Sequence, residues 1–385
     1  MNKIYRTDIS FILDEIAKRL DITDSFFEEA EKRYKAVGVW LGEGNSPLAA
    51  YSPVIYPQGS FLLGTMTKPL GDKDEYDIDL VFQMVLSKQE LTQKALKNLV
   101  GDRLKENEVY RGMLDREGRR CWTLIYANDA KFHLDILPAV PNVEYSNVLK
   151  SKGIPNIWAD TSIAITDNTL PNYDHVGLEW PRCNPKGYAA WFRSRMVTQY
   201  DGIRKQMAEA MKADIQAVPE YKVKTPLQRS IQLIKRHRNI MFEKRNDKPA
   251  TIILTTLAAL AYNNELDLVQ SLTSIVDGMP NYITSKAGKP QVQNPVDPSE
   301  NFAERWQDRA EREQNFYEWH KKIQGDLSAV LESEDMDRVC ELLTRMFGET
   351  TAVYAMKKYE EHNRSRVRNM STVIPIVKPS KPWGN

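Results

Sequence analysis

The sequence predicts an α+β fold in two lobes, in which a half built on a small mixed sheet precedes an all-helical half. Two stretches, at 76–82 and 131–139, alternate apolar and polar residues with the period of a β-strand. A helical pattern at 88–107 separates them, and from residue 188 onward the apolar spacing is again helical. We therefore expect a sheet-containing domain with N-terminal helices, a helical domain and an extended basic tail, over residues 1–187, 188–362 and 363–385.

The composition is that of a globular protein, with 42% hydrophobic and 27% charged residues in a chain of 385. The formal net charge of +1 provides no strong field for a nucleic-acid partner, so binding to long DNA is not expected. Cys121, Cys183 and Cys340 are too scattered for a disulfide framework or a zinc site, which predicts free thiols in the cytoplasm. No apolar run approaches about 18 residues, so no membrane span is expected.

The N-terminal region is predicted to be helical. Apolar residues recur at helical spacing over 8–36, and Asp8 is suited to cap the first turn. We expect these helices to lie behind the catalytic sheet.

The stretch from Pro57 to Met84 carries the strongest chemical signal. Gly59 lets the backbone approach a ligand, and Ser60 at a helix start presents N–H groups and a hydroxyl to an anion. Asp77 and Asp79 lie two residues apart and therefore share one face of a strand. Two carboxylates this close repel unless a cation lies between them, and oxygen ligands select Mg²⁺ or Mn²⁺. Either half alone is common in loops and on solvated strands, but together they indicate a nucleoside triphosphate site.

A helix and two more strands complete the predicted sheet. The helix at 88–107 should turn its apolar side inward, with Leu91, Ala95, Leu99 and Leu104. Strands follow at 121–126 and 131–139, joined by a turn at Asn128-Asp129.

Asp135 in the last of these strands is the candidate for a third metal ligand, because it faces away from the apolar row. Its alternative is a plain surface acid. Pro138 is expected to end the strand. Residues 141–186 have the character of an irregular segment, which either borders the nucleotide cleft or is a surface insertion.

The second half is predicted as a series of helices. Residues 188–217 and 226–245 are amphipathic, and Pro226 suits the first helical position. Residues 251–262 are apolar nearly all round, which predicts a central buried helix. Further helices are expected at 266–277, 299–323, 326–347 and 350–362.

Gln58-Gly59-Ser60 with Thr65, followed by Glu75-Tyr76-Asp77-Ile78-Asp79, resembles the signature of the polymerase-β-like nucleotidyltransferases. In this fuller form it looks most like the bacterial CD-NTases, cyclic-oligonucleotide synthases related to metazoan cyclic GMP-AMP synthase and oligoadenylate synthase. The resemblance implies a palm-type catalytic fold with a central cleft and two Mg²⁺ ions, for which Mn²⁺ can substitute.

The resemblance also implies roles for individual residues. The catalytic and metal-binding residues are Asp77, Asp79 and Asp135, the first two shared by both ions and the third placed at the attacking hydroxyl. The nucleotide-binding residues are Gln58, Gly59, Ser60, Lys235 and Arg236, where Lys235 is the first choice for the triphosphate. The segment Asn294–Asn301 is similar to an Asn/Asp-Pro segment of the same family, and we expect Ser299 to cap the next helix.

We therefore expect an enzyme that joins nucleoside triphosphates, ATP among them, into a cyclic di- or trinucleotide for anti-phage signalling through a downstream effector. One alternative is a template-independent transferase that adds nucleotides to RNA ends or to a protein. Another is an inactive nucleotide-binding or antitoxin module. The basic, proline-bearing segment at 363–385 is expected to be extended, and it is either a solvated end or the site of a regulatory partner.

Overall fold

The structure, a computed structural model, describes residues 3–71, 75–126 and 132–371. Its helices are α1 (Lys3–Leu20), α2 (Asp24–Gly42), α3 (Gly59–Leu62), α4 (Gln93–Glu106), α5 (Glu108–Met113), α6 (Val143–Ser151), α7 (Asn156–Ala159), α8 (Pro185–Ser194), α9 (Val197–Met211), α10 (Pro226–Met241), α11 (Thr251–Ala261), α12 (Leu268–Gly278), α13 (Ala310–Glu332), α14 (Met336–Phe347) and α15 (Glu349–Ser371). Its strands are β1 (Val54–Pro57), β2 (Tyr76–Gln83), β3 (Trp122–Tyr126), β4 (Phe132–Pro141), β5 (Ile163–Ile165), β6 (Arg182–Cys183), β7 (Thr284–Lys286), β8 (Lys289–Gln291), β9 (Gln293–Asn294) and β10 (Asp297–Asn301).

The main sheet is mixed and is organised around β4. Its strand order is β1-β2-β4-β5-β6, and β3 pairs with the first half of β4. Strands β2 and β4 run parallel, whereas the other neighbouring pairs are antiparallel. The predicted α+β class is confirmed.

Strand β4 continues through Pro138 to Pro141, so the expectation that Pro138 ends it is wrong. A proline cannot donate to a ladder, but it is tolerated where the strand has no partner on that side. On the side away from β2, β3 pairs with β4 only as far as Ile136 and β5 only from Ala139, so Pro138 lies between these two partners. Here β2 pairs along β4 as far as Ala139, and β5 takes over from Ala139 onward. The turn expected at Asn128-Asp129 lies outside the described residues.

The segment at 141–186 is not irregular throughout. It forms α6 and α7, and then β5 and β6 extend the main sheet. Ile163, Ala164 and Ile165 are buried, which explains why so short a strand is stable at this position. The many Pro and Asn residues mark the connections between these elements.

Helix α4 is shifted and rotated relative to the expectation. Thr92 caps its first turn, and its buried face carries Leu96, Lys97, Val100 and Leu104. The expected inward residues Ala95 and Leu99 are exposed. The reason is that the Lys97 ammonium is buried and donates to the carbonyl oxygens of Gly118 and Arg119, so a charged residue occupies the inner face.

Two hydrophobic cores divide the molecule, and they assign the N-terminal helices to different halves. The sheet core contains Ala30, Tyr34 and Val37 of α2, as expected. The helical core instead contains Ile9 and Ile12 of α1, which packs along α10, α12 and α15. The expectation that both helices lie behind the sheet is therefore wrong for α1, because its apolar stripe is covered by the C-terminal half.

The helical half is built around α10, which begins with Pro226 and is capped by a reciprocal Thr225–Gln228 box. Helix α11 is buried over nearly its whole surface, as its composition predicts. Within the described ranges, no helix combines the length and apolar character that a membrane span requires.

Two expectations for the end of the chain are wrong. Ser299 does not cap a helix, because it lies in β10, which pairs with β9, and the next long helix begins at Ala310. The tail does not become extended at Asn363, because α15 continues to Ser371. The rest of the expected tail, 372–385, lies outside the described residues.

The packing of α1 on the helical half leads to a prediction. Ile12 is fully buried, so Ile12→Ala should lower the free energy of unfolding by about 2–5 kcal/mol, as is typical of a buried cavity. Chemical denaturation measures this change, with Arg6→Ala on the exposed side of α1 as the control. Equal stability of the two variants would show that α1 is not part of the core.

Candidate active site

The turn before α3 lies directly against one of the candidate acids. The backbone N–H of Gln58 donates to the carbonyl oxygen of Asp79, at 2.8 Å. Gly59 has φ of +60°, and a Cβ at this position would lie 2.8 Å from Oδ2 of Asp79. Gln58 precedes α3, but its side chain accepts no hydrogen bond from the first backbone N–H groups of that helix. Turn and acid are therefore in direct contact, as the order of the motifs suggests.

The three candidate acids lie on neighbouring strands and on one face of the sheet. Asp77 and Asp79 alternate with buried Ile78 on β2, and Asp79 is the register partner of Asp135 on β4. The hydroxyl of Thr123 on β3 donates to Oδ1 of Asp135 at 2.5 Å and holds that carboxylate in place. Thr123 was missed in the sequence, where its only signal is its place in the strand before Asp135.

Burial and like charge raise the pKa values of Asp77 and Asp79. The pKa of Asp79 is raised to about 6, first by burial and then by the charges of Asp135 and Asp77. The pKa of Asp77, whose side chain reaches solvent, is raised by partial desolvation and then by Asp135, partly offset by His133. His133 contacts Glu75 and lies 3.8 Å from Asp77, a pairing that the sequence alone did not reveal.

This donor set fits a divalent cation. Three carboxylates on neighbouring strands repel one another, and a hard cation relieves that repulsion. Among the residues that the structure describes, no three carboxylate, imidazole or thiol groups are already close enough to hold an ion. Mg²⁺ is usually held by one or two carboxylates together with substrate phosphates.

A cleft of about 490 Å³ adjoins Asp77, and it brings together residues from both halves of the chain. Ser60, Asp77 and Lys235 line it. The Lys235 ammonium is buried and donates to the carbonyl oxygen of Thr65 at 2.8 Å. Its pKa is lowered to about 7, first by burial and then by Arg238 and Lys224. Lys235 thus places a partly charged donor at the wall of this cleft.

Arg236 does not line this cleft, unlike Lys235. Its guanidinium donates to the carbonyl oxygens of Lys68 and Pro69, at 2.8 and 3.2 Å. Three nearby side chains bond the same loop. Gln228 and Gln232 on α10 donate to the carbonyl oxygens of Leu63 and Met66, respectively. Lys224, just before the helix, donates to the carbonyl oxygen of Gly64. This group of side chains holds the loop that follows α3, so the geometry gives Arg236 a positioning contact.

The contact between Gly59 and Asp79 yields a second prediction. Gly59→Ala should weaken triphosphate binding, because the added Cβ would meet the Asp79 carboxylate and force that side chain or the turn to shift. Gly44→Ala is a matched control, since Gly44 has φ of +62° and the Cβ that alanine adds there would meet nothing within 4 Å. Both variants carry the backbone cost of about 1–2 kcal/mol. Isothermal titration calorimetry that finds the same affinity in both would refute the proposed close approach.

Comparison with known proteins identifies the family. The nucleotidyltransferase domain described as cyclic GMP-AMP synthase DncV-like matches residues 53–138. A c-di-GMP synthase of Roseivirga ehrenbergii is 31% identical over 359 residues, covering 92% of this chain and 88% of that protein. The cyclic dinucleotide synthase CdnG of Bradyrhizobium diazoefficiens is 25% identical over 375 residues, covering 93% and 85%.

The solved structure of the Bradyrhizobium diazoefficiens CD-NTase CdnG in complex with GTP has the same fold. It matches with a TM-score of 0.69 at 23% identity, and the match covers 91% of this chain and 99% of that one. The mixed sheet and the helical half therefore form the polymerase-β-like nucleotidyltransferase fold. Together with the 31% identity over most of both chains, this fold shows that the chain belongs to the bacterial CD-NTases, the nucleotidyltransferases that synthesise cyclic oligonucleotides.

Proposed function

We propose that this CD-NTase joins two molecules of GTP into cyclic di-GMP and releases two molecules of pyrophosphate. The observation that carries the proposal is the 31% identity to a c-di-GMP synthase over 92% of the chain. This span includes most of both halves, and hence both walls of the cleft. Because the product named for this relative contains two guanine nucleotides, we favour GTP over ATP as the substrate of this chain.

Asp77, Asp79 and Asp135 are the residues that would hold the metal. Two Mg²⁺ ions, when bound, neutralise the triphosphate and lower the pKa of the attacking hydroxyl. Thr123 orients Asp135 through its hydroxyl hydrogen bond.

The phosphates are bound by the turn and by α10. The close approach of Gly59 to Asp79 leaves the backbone N–H groups at the start of α3 near the acids. Ser60 and Lys235 face the same cleft, where the ammonium neutralises charge on the leaving pyrophosphate. In this assignment each side chain binds or orients a phosphate, while Arg236 acts by holding the loop.

We further propose that the product acts in anti-phage signalling in the cytoplasm, through an effector that binds the cyclic nucleotide. Docking of a regulatory partner on the C-terminal tail also remains a proposal. Its support is the composition of residues 372–385, which combine basic residues, prolines and a short apolar cluster.

Product analysis tests the proposed function. Purified protein with Mg²⁺ or Mn²⁺ should convert GTP alone into a phosphatase-resistant product with the mass of cyclic di-GMP. The double variant Asp77→Ala, Asp79→Ala should form none and yet remain folded, because loss of the pair removes a repulsion. A cyclic product that requires a second kind of nucleotide would refute the choice of GTP. Only linear extension of RNA or protein would favour the terminal-transferase alternative.

A further prediction concerns Lys235. Because its pKa is about 7 in the free protein, Lys235 loses its charge as the pH rises above 7. A bound triphosphate favours the charged form, so binding takes up a proton and wild-type affinity should fall between pH 7 and 9. Lys235→Met should bind more weakly at pH 7 and lose this part of the pH dependence.

Lys224→Met is the matched control for Lys235→Met. Lys224 is also largely buried and donates to the neighbouring carbonyl of the same loop, but it does not line the cleft. Titration of both variants with a triphosphate at several pH values separates loop support from phosphate contact. An unchanged pH dependence in Lys235→Met would contradict the assignment.

A further inference from the structure

Lys186, the second residue of α8, holds its ammonium over the ring of Tyr56 on β1, at 3.7 Å from the ring centroid. The ring is fixed, because the Tyr56 hydroxyl donates to Oε1 of Gln83 at 3.0 Å. The start of α8 is fixed as well, since the Asn184 side chain accepts from the N–H of Gly187 at 3.0 Å. The ammonium therefore has a defined place on the sheet.

This place is on the face of the sheet that bears the acids. Tyr56 is the register partner of Val81, so the two side chains point to the same face. Val81 follows Asp79 by two positions and therefore shares its face. The packing agrees, because Tyr56 contacts the cluster that contains Val81 and Leu137. A rise of about 3.3 Å per residue and a strand spacing of about 4.8 Å put the Cα atoms of Tyr56 and Asp79 about 8 Å apart.

The Lys186 ammonium forms no ion pair with any residue that the structure describes. Burial lowers its pKa, and no neighbouring carboxylate raises it again. A partly desolvated cation is costly unless an anion approaches it, and an aromatic face offsets only part of that cost. The phosphates of a nucleotide supply such an anion.

The cleft beside Asp77, here called the first cleft, lies at the other end of the acids. It adjoins Tyr76 and Asp77 at the start of β2, whereas Tyr56 pairs with β2 beyond Asp79. In a displacement at phosphorus the attacking and leaving oxygens are roughly in line. If pyrophosphate leaves in the first cleft, the attacking hydroxyl must approach from the far side of the acids, which is the side of Lys186.

A second cleft, of about 920 Å³, is lined by charged residues of both signs. Arg182 lines it and is the register partner of Ala164, which is in turn the partner of Val140. Val140 follows Asp135 by five positions, so its side chain points to the opposite face of the sheet. Arg182 therefore lies on the face away from the acids, unlike Lys186.

Ring synthesis from two molecules of GTP takes two transfers. In the first, a ribose hydroxyl of the acceptor GTP attacks the α-phosphorus of the donor GTP. The new O–P bond replaces the bond to pyrophosphate, and the hydroxyl proton passes to solvent. The acceptor keeps its own triphosphate, which becomes the leaving group only when the linear intermediate closes in the second transfer. Two triphosphates are thus bound together only in the first transfer.

We infer that Lys186 binds the triphosphate of the acceptor GTP during the first transfer, an inference that rests on the proposed use of two GTP molecules. The Tyr56 ring holds the ammonium beyond the acids, where it neutralises phosphate charge and keeps the acceptor hydroxyl on the side of attack. In the second transfer the remaining triphosphate occupies the first cleft, so Lys186 has no phosphate to bind.

Lys186→Met tests the inference, because it keeps the length of the side chain and removes its charge. With GTP alone, the first transfer should be about tenfold or more slower in kcat/KM, as expected for one lost charged contact. With the synthetic linear intermediate as substrate, ring closure should proceed at the wild-type rate. In mixtures of GTP and GMP, wild-type protein should prefer GTP as the acceptor, and the variant should lose this preference because GMP lacks the β- and γ-phosphates.

Two further variants serve as controls, and chromatography separates the linear and cyclic products. Lys152→Met, at an exposed lysine outside both clefts, should leave both transfers unchanged. Lys235→Met should slow both, because pyrophosphate leaves in the first cleft each time. Equal slowing of both transfers by Lys186→Met, or no slowing of either, would refute the inference while cyclic di-GMP formation by wild-type protein upholds the proposed function. If wild-type protein forms no cyclic product from GTP alone, both fail.

Discussion

The active-site architecture depends on how α10 satisfies the backbone of the loop after α3. Carbonyl oxygens in a buried loop need donors, because an unpaired buried carbonyl costs about 1–3 kcal/mol. Here side chains of α10 and of the segment just before it supply these donors. The donors Gln228, Lys224, Lys235, Gln232 and Arg236 bond, in that order, the carbonyl oxygens of Leu63, Gly64, Thr65, Met66 and Lys68. A helix of the C-terminal half thus fixes the turn that contacts Asp79 in the catalytic half.

A second constraint is the parallel pairing of β2 with β4. It places Asp79 opposite Asp135, and the side-chain period of two keeps Asp77 on the same face. A shift of the register by one residue would turn Asp135 into the core. The sheet therefore holds like charges together, and the buried rows on both strands, such as Ile78 and Leu134, stabilise an arrangement that the acids oppose.

The two clefts differ in their chemistry. The first combines Ser60 and Lys235 with Asp77, and these groups suit phosphates. The second is lined by charged groups of both signs, among them Arg120, Arg182 and Glu304.

The local pattern of the sequence determined the α+β class, the Gly59-Ser60 turn, the acids Asp77, Asp79 and Asp135, and the start of α10 at Pro226. These features depend on a period of two or 3.6 residues, or on a turn residue, all of which are visible within a few positions. Long-range packing decided the rest. The apolar spacing of α1 would be the same whichever core covered it, so the spacing alone does not say which half it packs on. The burial of Lys97 on α4 depends on the carbonyl oxygens of Gly118 and Arg119, which only the folded chain brings to its ammonium.

The same reason explains the site residues that the sequence did not separate. Lys235 and Arg236 are adjacent, both basic and both bonded to the loop after α3, yet only the tertiary structure shows that Lys235 lines the cleft and Arg236 does not. The sequence by itself determined which chemistry the protein can perform, since the acids and the turn are close in the chain. Only the tertiary structure decided which residues surround them, because those residues are brought together by packing between the two halves.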